Sequence, residues 1–281
     1  MGDWTIRQAT ADDRARVDGL ILGARWKHFH LDWMEPTALT ERSPFLVATH
    51  SGLAVGCLGC PPDLPGVAWL RAFAVASGYR LERAWQQLWE MAGGRLRDLQ
   101  VERVAGLPIE GWFETLLDQS GFETTNAVVF FERELSRPIP NSTGRSRPIA
   151  SADETALLEL DHLAFEPFWQ LSGDSLQAAL GLADSATLIE LEGGIIGYQI
   201  TTSSPFGAHL ARLAVHPDRR RQGFGRELVL DSLHSARKAS LGRLSVNTQA
   251  DNLASQRLYR KLGFQETGQR FRVYEAQLAK L

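Results

Sequence analysis

Four arginines surround a pair of glycines at positions 223 and 225, and this combination suits the binding of an anion. Apolar residues at helical spacing follow the glycines, so a helix is predicted to begin there. The start of a helix presents unpaired N–H groups and a partial positive charge, and glycine lets an anion approach that backbone closely. The pattern predicts a cradle for a diphosphate, without indicating which molecule carries it. The arginines are Arg219, Arg220, Arg221 and Arg226.

Asn252, Ser255 and Tyr259 form a second group of polar residues at helical spacing. Asn252 suits a helix N-cap and Gly263 suits the residue after a helix end, so a helix is predicted over residues 253–262. The three polar side chains would then share one face of the helix.

Tyr259 is the residue of this helix that could take part in chemistry, because a phenol can protonate a departing thiolate. Leu258 and Leu262 are expected to form the core face of the helix, which leaves Tyr259 on the polar face. The alternative interpretation is a tyrosine that only packs.

Two common phosphate-binding motifs do not fit the glycine pair. The dinucleotide fingerprint needs a third glycine where Leu228 stands, and the NTPase loop needs Gly-Lys-Ser/Thr, which nothing here matches. The stretch resembles instead the Gln/Arg-x-x-Gly-x-Gly/Ala signature of the GNAT superfamily, the acyl-CoA N-acyltransferases. Arg220, Gly223 and Gly225 fill that signature after a family-like Leu-Ala-Val-x-Pro run.

This resemblance implies that acetyl-CoA is the co-substrate and assigns roles to the residues in both groups. It implies that Tyr259 protonates the thiolate, that Asn252 lies near the pantetheine arm, and that the backbone of Leu213 and Val215 pairs with that arm. The residues implied to bind the cofactor are Leu213, Ala214, Val215, Arg220, Arg221, Gln222, Gly223, Phe224, Gly225, Arg226, Asn252 and Ser255.

An internal repeat indicates two copies of one domain, because four short motifs recur in the same order at a nearly constant interval along the chain. The stretch between the copies is rich in Pro, Ser, Asn and Gly, which is typical of a linker. The predicted organisation is a first domain over 1–137, a linker over 138–147 and a second domain over 148–281. The matched motifs are 9–13 with 150–154, 53–56 with 194–197, 73–75 with 213–215, and 120–122 with 262–264.

The N-terminal copy is predicted to be degenerate. At an offset of 140, Arg83 and Trp85 replace the two glycines, and a tryptophan at the helix start would block a diphosphate. At an offset of 142, Leu117 replaces Tyr259. The plan resembles that of tandem GNAT proteins whose C-terminal half is the working one.

The second copy is predicted to be a mixed α/β sheet with helices on both faces, in the element order of a GNAT domain. In that fold the fourth and fifth strands splay apart and admit the pantetheine arm. The predicted strands are 145–149, 186–192, 195–202, 209–215, 243–248 and 269–278, and the predicted helices are 153–163, 175–183, 223–239 and 253–262.

The acceptor is expected to bind against the aromatic loop that follows the first helix of this copy. Glu166 could attract a cationic amine and Trp169 could form part of an aromatic wall, unless the loop simply plugs the core. On the fifth strand Asn247 stands where relatives that acetylate protein N-termini often carry a glutamate base, and an amide cannot accept a proton. The remaining candidate bases, each also open to a structural interpretation, are Glu166, His162, His209 and His216.

Composition indicates a globular protein, with 44% apolar and 22% charged residues and a net charge of −3. This balance does not favour nucleic acid as a partner. The sequence lacks an apolar run of membrane-spanning length and an N-terminal secretion signal, so a cytoplasmic location is expected. Cys57 and Cys60, like His28 and His30, lack further ligands at suitable spacing, so no metal is expected.

These features predict an acetyl-CoA-dependent N-acetyltransferase that transfers an acetyl group to a primary amine of a small molecule or peptide, by direct attack in the C-terminal domain. The alternative is a non-catalytic protein that binds or senses acyl-CoA. Tyr259 argues against the alternative, because a binding protein has no need of an acid there. The tandem arrangement is expected to replace the dimer of single-domain relatives and to give a monomer.

Overall fold

A computed structural model describes residues 4–31 and 33–280 of the protein. The chain forms two compact units, Met1–Thr125 with Phe271–Leu281 and Asn126–Arg270. The elements up to the end of the first sequence copy are β1 (Thr5–Gln8), α1 (Arg14–Gly23), β2 (Trp26–Phe29), β3 (Phe45–His50), β4 (Leu53–Gly59), β5 (Pro62–Leu64), β6 (Val67–Trp69), β7 (Ala72–Val75), α2 (Leu81–Asp98), β8 (Arg103–Gly106), α3 (Gly111–Gln119) and β9 (Glu123–Glu134).

The second copy has the element order predicted from the sequence, with ends that differ by a few residues. Its elements are β10 (Ser146–Pro148), α4 (Glu154–Ala164), α5 (Gly173–Gly181), β11 (Ser185–Leu191), β12 (Gly194–Ser204), β13 (Gly207–Val215), α6 (Phe224–Lys238), β14 (Arg243–Gln249), α7 (Leu253–Lys261) and β15 (Gln265–Gln277).

Helices cover both faces of the sheet in the second unit, as predicted. The strand order is β10-β11-β12-β13-β14-β9-β15, with β13 and β14 parallel. Tyr198 and Gln199 are adjacent in β12, and they bond to α4 through Asp161 and to α6 through Ser232. Because successive side chains of a strand point to opposite faces, α4 and α6 lie on opposite sides of the sheet.

The two units do not end where the sequence copies end. In the second unit β9 pairs with β14 from Val128 to Glu134, and in the first unit β15 pairs with β8 from Tyr274 to Gln277. Each copy therefore contributes its last strand to the sheet of the other unit. The predicted boundaries at 137 and 148 differ from the observed ones for this reason. Most of β9 is part of the second unit because it pairs with β14, and the end of β15 is part of the first unit because it pairs with β8.

β13 and β14 separate halfway along their length. Their last paired residues are Leu210 and Val246. Beyond this point β13 continues along β12 to Val215, and β14 continues along β9 to Gln249. We refer to the opening between 213–215 and 247–249 as the strand gap. It is the pair of splayed strands that the GNAT resemblance predicts.

The first and second units repeat one another in detail. Arg7 binds both carboxylate oxygens of Asp13 at 2.6 and 2.8 Å, and Arg147 binds those of Asp153 at 2.7 and 2.8 Å. Asp13 is therefore the equivalent of Asp153, whereas the predicted match of 9–13 with 150–154 placed Asp12 opposite Asp153. That match was therefore wrong by one position. The carboxylate that binds the arginine before the first helix is Asp13 in the first unit and Asp153 in the second, so these two residues correspond.

The predicted linker lies along helix α6. The N–H of Thr143 donates to Glu227 in the first turn of the helix at 2.6 Å. Further along, a ring nitrogen of His234 lies 3.0 Å from the carbonyl oxygen of Pro140. The segment is therefore held by specific hydrogen bonds, although its composition is that of a flexible connection.

Candidate active site

The open edge of β13 presents backbone groups to the strand gap. The N–H of His216 donates to the carbonyl of Ile196 at 2.8 Å, so the backbone groups of His216 and Ala214 point toward β12. Because alternate residues of a strand direct these groups to opposite edges, Leu213 and Val215 direct theirs to the strand gap. An extended ligand in the gap could pair with this edge as an added strand would.

The loop between β13 and α6 contains two residues with positive φ. Arg221 has φ of 64° and Gly223, the N-cap of α6, has φ of 92°. Glycine adopts this conformation without steric cost, whereas other residues rarely do. A Cβ at Gly225 would lie 3.4 Å from Leu258 Cδ2 and 3.6 Å from Val215 Cγ2. Gly223 therefore permits the turn into the helix, and a Cβ at Gly225 would make nearly ordinary contacts. The first N–H groups of α6 suit an anion at this turn.

Arg220, the first residue of the signature, ties the loop to neighbouring backbone. Its Nη2 donates to the carbonyl of Ala164 at 3.0 Å, and its Nε donates to that of Val215 at 3.4 Å. The side chain thus joins the end of α4 to the edge of the strand gap. Arg219 and Arg221 are exposed at the same loop and have their charges available to an anion.

Two further loop residues expected at the cofactor use their side chains within the protein. Gln222 donates to the carbonyl of Asp218 at 3.3 Å. Phe224 is buried in a cluster with Ile196 and Leu228. Their backbone groups at the helix start remain suited to an anion.

Glu227, which the sequence analysis missed, is buried in the first turn of α6. It accepts hydrogen bonds from the N–H of Thr143 at 2.6 Å and from the hydroxyls of Thr143 and Ser142 at 2.9 and 3.1 Å, and it pairs with Arg226 at 3.0 Å. Burial raises the pKa of Glu227, but these hydrogen bonds and the charge of Arg226 outweigh it and hold the pKa below its ordinary value. Glu227 therefore stays ionised and connects the linker to the candidate anion site.

The predicted N-cap of α7 is confirmed. The side-chain oxygen of Asn252 accepts the N–H of Ser255 at 3.1 Å. This bond occupies the Asn252 carbonyl and leaves its amide nitrogen for a ligand. Both residues are half-buried at the start of the helix.

Tyr259 lies in the core and not on a polar face, so that part of the prediction was wrong. Its ring centroid lies 6.0 Å from that of Phe131 and 5.8 Å from that of Phe264, and the residue is 3% exposed. Burial raises the pKa of the phenol, while the hydroxyl of Ser255 acts in the opposite direction. Leu258, expected in the core, is only partly buried. The large aromatic ring gains more from burial than the leucine does.

The aromatic loop after α4 is divided between core and surface. Phe168 is buried, Trp169 is half-buried and Glu166 is exposed. The predicted aromatic wall is therefore partial, and Glu166 remains available to attract a cation.

A buried ion pair beneath this loop was missed by the sequence analysis. Arg212 donates to Oδ2 of Asp161 through Nε at 2.8 Å and Nη2 at 2.5 Å, and the hydroxyl of Tyr198 donates to the same oxygen at 2.5 Å. Arg212 also donates to the carbonyl of Trp169 at 2.6 Å, and its guanidinium lies 3.6 Å from the ring centroid of Phe165. We refer to Asp161, Tyr198 and Arg212 as the Asp161 cluster.

The candidate bases are poorly suited to accept a proton. Nδ1 of His209 lies 2.9 Å from the hydroxyl of Ser245, and burial lowers the pKa of His209 to about 4. Such a group is neutral at pH 7, but it is too weak a base to remove a proton readily from an ammonium ion.

Asn247 lies beside the strand gap. It directly follows Val246, which belongs to the last pair of β13 and β14.

The other two histidines contact backbone groups. Nε2 of His162 lies 2.9 Å from the carbonyl oxygen of Leu171. Nδ1 of His216 accepts the N–H of Asp218 at 3.3 Å and so caps a short turn. These contacts support the structural interpretation of both side chains.

In the first unit, the edge that corresponds to the strand gap is covered by the protein itself. β2 pairs with β7 from Trp26 opposite Val75 to Phe29 opposite Ala72. Val75 is the ladder equivalent of Val215, since each lies opposite a glycine of the preceding hairpin strand. A ligand could not pair with β7 without displacing β2.

The start of α2 lacks the features of an anion cradle. The two helices keep the predicted offset of 140, because they end at the C-caps Leu99 and Ala239. Arg83 and Trp85 therefore stand at the positions of the two glycines, but α2 begins earlier, after the N-cap Arg80, so both residues lie inside the helix. The connection before α2 is shorter than the one before α6, and Trp85 is buried within the helix. Arg80 has φ of −75°, so the left-handed N-cap conformation of Gly223 is not present at the start of α2.

The cysteine and histidine pairs of the first unit are packed in its interior. Burial raises the pKa of Cys57 to about 12 and lowers that of His28 to about 4. Cys60 is also a free, buried thiol. Within residues 4–31 and 33–280, no group of three or more His, Cys, Asp or Glu side chains is arranged to hold a metal ion. Among the helices of the described chain, none has the length and apolarity needed to cross a membrane.

Comparison with known proteins agrees with this geometry. Residues 155–264 match the sequence model of the Acetyltransferase (GNAT) family. A comparison with curated protein sequences gave no match. The resemblance to the GNAT family that the sequence predicts is thus confirmed for residues 155–264.

Solved structures show that the GNAT fold extends over the whole chain. A GCN5-related N-acetyltransferase from Sphaerobacter thermophilus is 15% identical, with 98% of this chain and 96% of that chain covered and a TM-score of 0.64. A tandem GNAT protein from the clavulanic acid biosynthesis pathway is 16% identical, with 98% and 99% covered and a TM-score of 0.67. A GCN5-related N-acetyltransferase from Kribbella flavida is 14% identical, with 98% and 71% covered and a TM-score of 0.66. The chain therefore has a tandem GNAT architecture.

Proposed function

We propose that the second unit is an acetyl-CoA-dependent N-acetyltransferase that acts on a primary amine of a small molecule or peptide. The observation that supports this best is the continuity of two binding features. The open edge of β13 leads through one short loop to the anion cradle at the start of α6. Acetyl-CoA has the matching chemistry, since it joins an extended amide-bearing arm to a diphosphate.

The backbone supplies most of the proposed cofactor contacts. The pantetheine arm forms hydrogen bonds with the backbone of Leu213 and Val215. The diphosphate accepts hydrogen bonds from the first N–H groups of α6, at Gly223 and Gly225. Arg221 and Arg226 add positive charge beside the diphosphate. The N–H of Leu213 points into the strand gap, where it can stabilise the oxyanion that forms as the amine attacks the thioester.

Tyr259 is the proposed acid that protonates the departing thiolate. Its high pKa keeps the phenol protonated at physiological pH. The same burial raises the proton affinity of a thiolate that forms beside it, so the two groups remain matched. Asn252 and Ser255 lie one to two turns earlier on the same helix and are proposed to contact the arm.

The proposed acceptor site lies between the loop at Glu166 and Trp169 and the strand gap at Asn247. The carboxylate of Glu166 attracts the amine while the amine is protonated and positively charged. With His209 a weak base and Asn247 unable to accept a proton, the amine reacts as its neutral fraction or loses its proton to water.

The second candidate function is a non-catalytic protein that binds or senses acyl-CoA. It is supported by the weakness of the available bases, above all the low pKa of His209. The two candidates share the cofactor site and differ only in turnover. For either function we propose a monomeric protein in the cytoplasm, with no metal.

A calorimetric titration of the full chain with acetyl-CoA tests both candidates. We expect one site per chain. An absence of binding would overturn both proposals, and two sites would show that the first unit also binds. If one site is found, incubation with a panel of primary amines and detection of free thiol separates the enzyme from the sensor.

A further inference from the structure

The segment that follows the first helix has different structures in the two units. In the first unit it is the strand β2, which pairs with β7 along the edge from Ala72 to Val75. In the second unit the corresponding residues form a short 3₁₀ turn, Pro167–Trp169, and the equivalent edge of β13 is open. Two related segments therefore occupy two alternative positions, and only one of them leaves a strand gap.

The Asp161 cluster is present only in the unit whose gap is open. By ladder and helix position, the equivalents of Asp161, Tyr198 and Arg212 are Ile21, Cys57 and Ala72. These three residues are apolar and lie in or against one hydrophobic cluster. The neighbouring arginine in the first unit, Arg71, pairs elsewhere, with Asp63 at 2.6 Å.

Arg212 contacts both ends of the turn. Its guanidinium stacks on Phe165 before the turn and donates to the carbonyl of Trp169 at its end. Asp161, itself 1% exposed, fixes the guanidinium with two hydrogen bonds and also accepts the N–H of Leu171 at 2.8 Å. A backbone carbonyl held by Arg212 is not available to pair with β13.

We propose that the Asp161 cluster is a positioning device that holds segment 165–171 away from the edge of β13 and so keeps the strand gap open for acyl-CoA. Without the cluster, the segment moves to the gap and pairs with β13, as β2 pairs with β7 in the first unit. This proposal rests on the proposed function only in naming acyl-CoA as the occupant.

The experiment replaces the cluster by apolar residues in the full chain, with Asp161→Ile, Tyr198→Phe and Arg212→Ala combined. This variant leaves no buried charge and no buried hydroxyl without a partner. The N–H of Leu171 and the carbonyl of Trp169 lose the cluster as their partner and become available to pair with β13. Amide hydrogen exchange at 211–216 is measured without ligand, and affinity for acetyl-CoA is measured by calorimetry. We expect slower exchange at Leu213 and Val215 than in the wild type, and affinity at least tenfold lower.

Exchange at Leu213 and Val215 that equals or exceeds the wild-type rate would overturn the proposal, as would unchanged affinity. A purely structural role predicts faster exchange, so the sign of the change separates the two roles. If the wild type itself fails to bind acetyl-CoA, the proposed function fails, while the exchange comparison still tests the cluster.

Arg212→Lys provides a second variant that does not depend on the fold of the first. Lysine keeps a charge beside Asp161 but lacks the planar fork that contacts Phe165 and Trp169. We expect slower exchange at Leu213 and Val215 here too, to a smaller extent, and no change would overturn the proposal. Arg147→Lys is the matched control, because it alters another arginine–aspartate pair of the same unit and should leave this exchange unchanged.

Discussion

Trp26 lies directly opposite Val75 in the ladder between β2 and β7. Val75 occupies the position in the first unit that Val215 occupies in the second, where no strand covers the gap-facing edge. In the first unit, β2 thus occupies the position at which the second unit is proposed to bind a ligand. This relationship explains the asymmetry of the repeat better than the loss of single glycines, because a covered edge excludes an extended ligand regardless of the loop that follows.

Gly225→Trp should reduce acetyl-CoA binding below detection, because even a Cβ at this position lies 3.4 Å from Leu258 and 3.6 Å from Val215. The indole must displace the start of α6 or cover its N–H groups. Calorimetry measures binding, and circular dichroism checks the fold. Gly225→Ala is the control and should keep affinity within about tenfold, since its Cβ makes nearly ordinary contacts. Tight binding by the tryptophan variant would place the diphosphate elsewhere.

Tyr259→Phe should lower turnover by roughly 10²–10⁴-fold, the loss typical of a general acid, with little change in the affinity for acetyl-CoA. The ring packing against Phe131 and Phe264 is preserved, so stability should change little. Turnover is followed by thiol release with the best amine found. Tyr274→Phe, another fully buried tyrosine, serves as the control. Equal turnover in both variants would remove Tyr259 from the mechanism.

Glu227→Ala should lower the free energy of unfolding by roughly 1.5–3 kcal/mol, the range for hydrogen bonds to a charged group. It leaves the N–H of Thr143 without its acceptor and releases Arg226. Urea unfolding measures the change. Glu266→Ala removes an exposed partner of Arg260 and should cost less than about 1 kcal/mol. Equal losses for the two variants would show that the linker contributes nothing through Glu227.

His209→Gln should reduce the loss of stability that occurs as the pH falls from about 6.5 toward 4. The folded pKa of His209 is about 4, below its ordinary value of 6.5, so the unfolded chain binds more protons in this window. Acid therefore favours unfolding of the wild type, and the variant lacks that contribution. Unfolding free energies at several pH values provide the test. Identical pH dependence would mean that His209 is not desolvated.

The same variant should leave the pH profile of turnover between pH 6 and 8 unchanged, because a group with a pKa near 4 does not titrate there. If the wild-type pH profile of turnover has an inflection near pH 6.5 that the variant lacks, His209 would instead be identified as a catalytic base with a nearly normal pKa.

Local patterns in the sequence were sufficient to predict the elements of the second copy and the caps of their helices. Gly223 was placed at a helix start because of its type and spacing, and Asn252 at another, since these features depend on neighbours along the chain. The element order, the repeat and the GNAT architecture followed from such signals.

Contacts between distant parts of the chain could not be predicted in this way. Helical spacing placed Tyr259 on a polar face, but burial of its ring against Phe131 on another strand decided its orientation. Arg212 interrupts an apolar strand, which was the available signal for a buried ion pair. Its partners could not be identified, because Asp161 belongs to α4 and Tyr198 to β12, and no regular spacing connects them to β13.

The sequence alone was therefore sufficient to predict two copies of one domain, because four short motifs recur in the same order. It also placed Gly223 at a helix start and Tyr259 on a helix, because these features depend on residue types at short, regular spacing. The fold determined which strand each copy contributes to the other unit, why β2 fills one gap while the other is open, and that Arg220 and Glu227 bond to the protein itself. These outcomes depend on packing and on hydrogen bonds that must be satisfied between segments remote in sequence, which spacing along the chain does not encode.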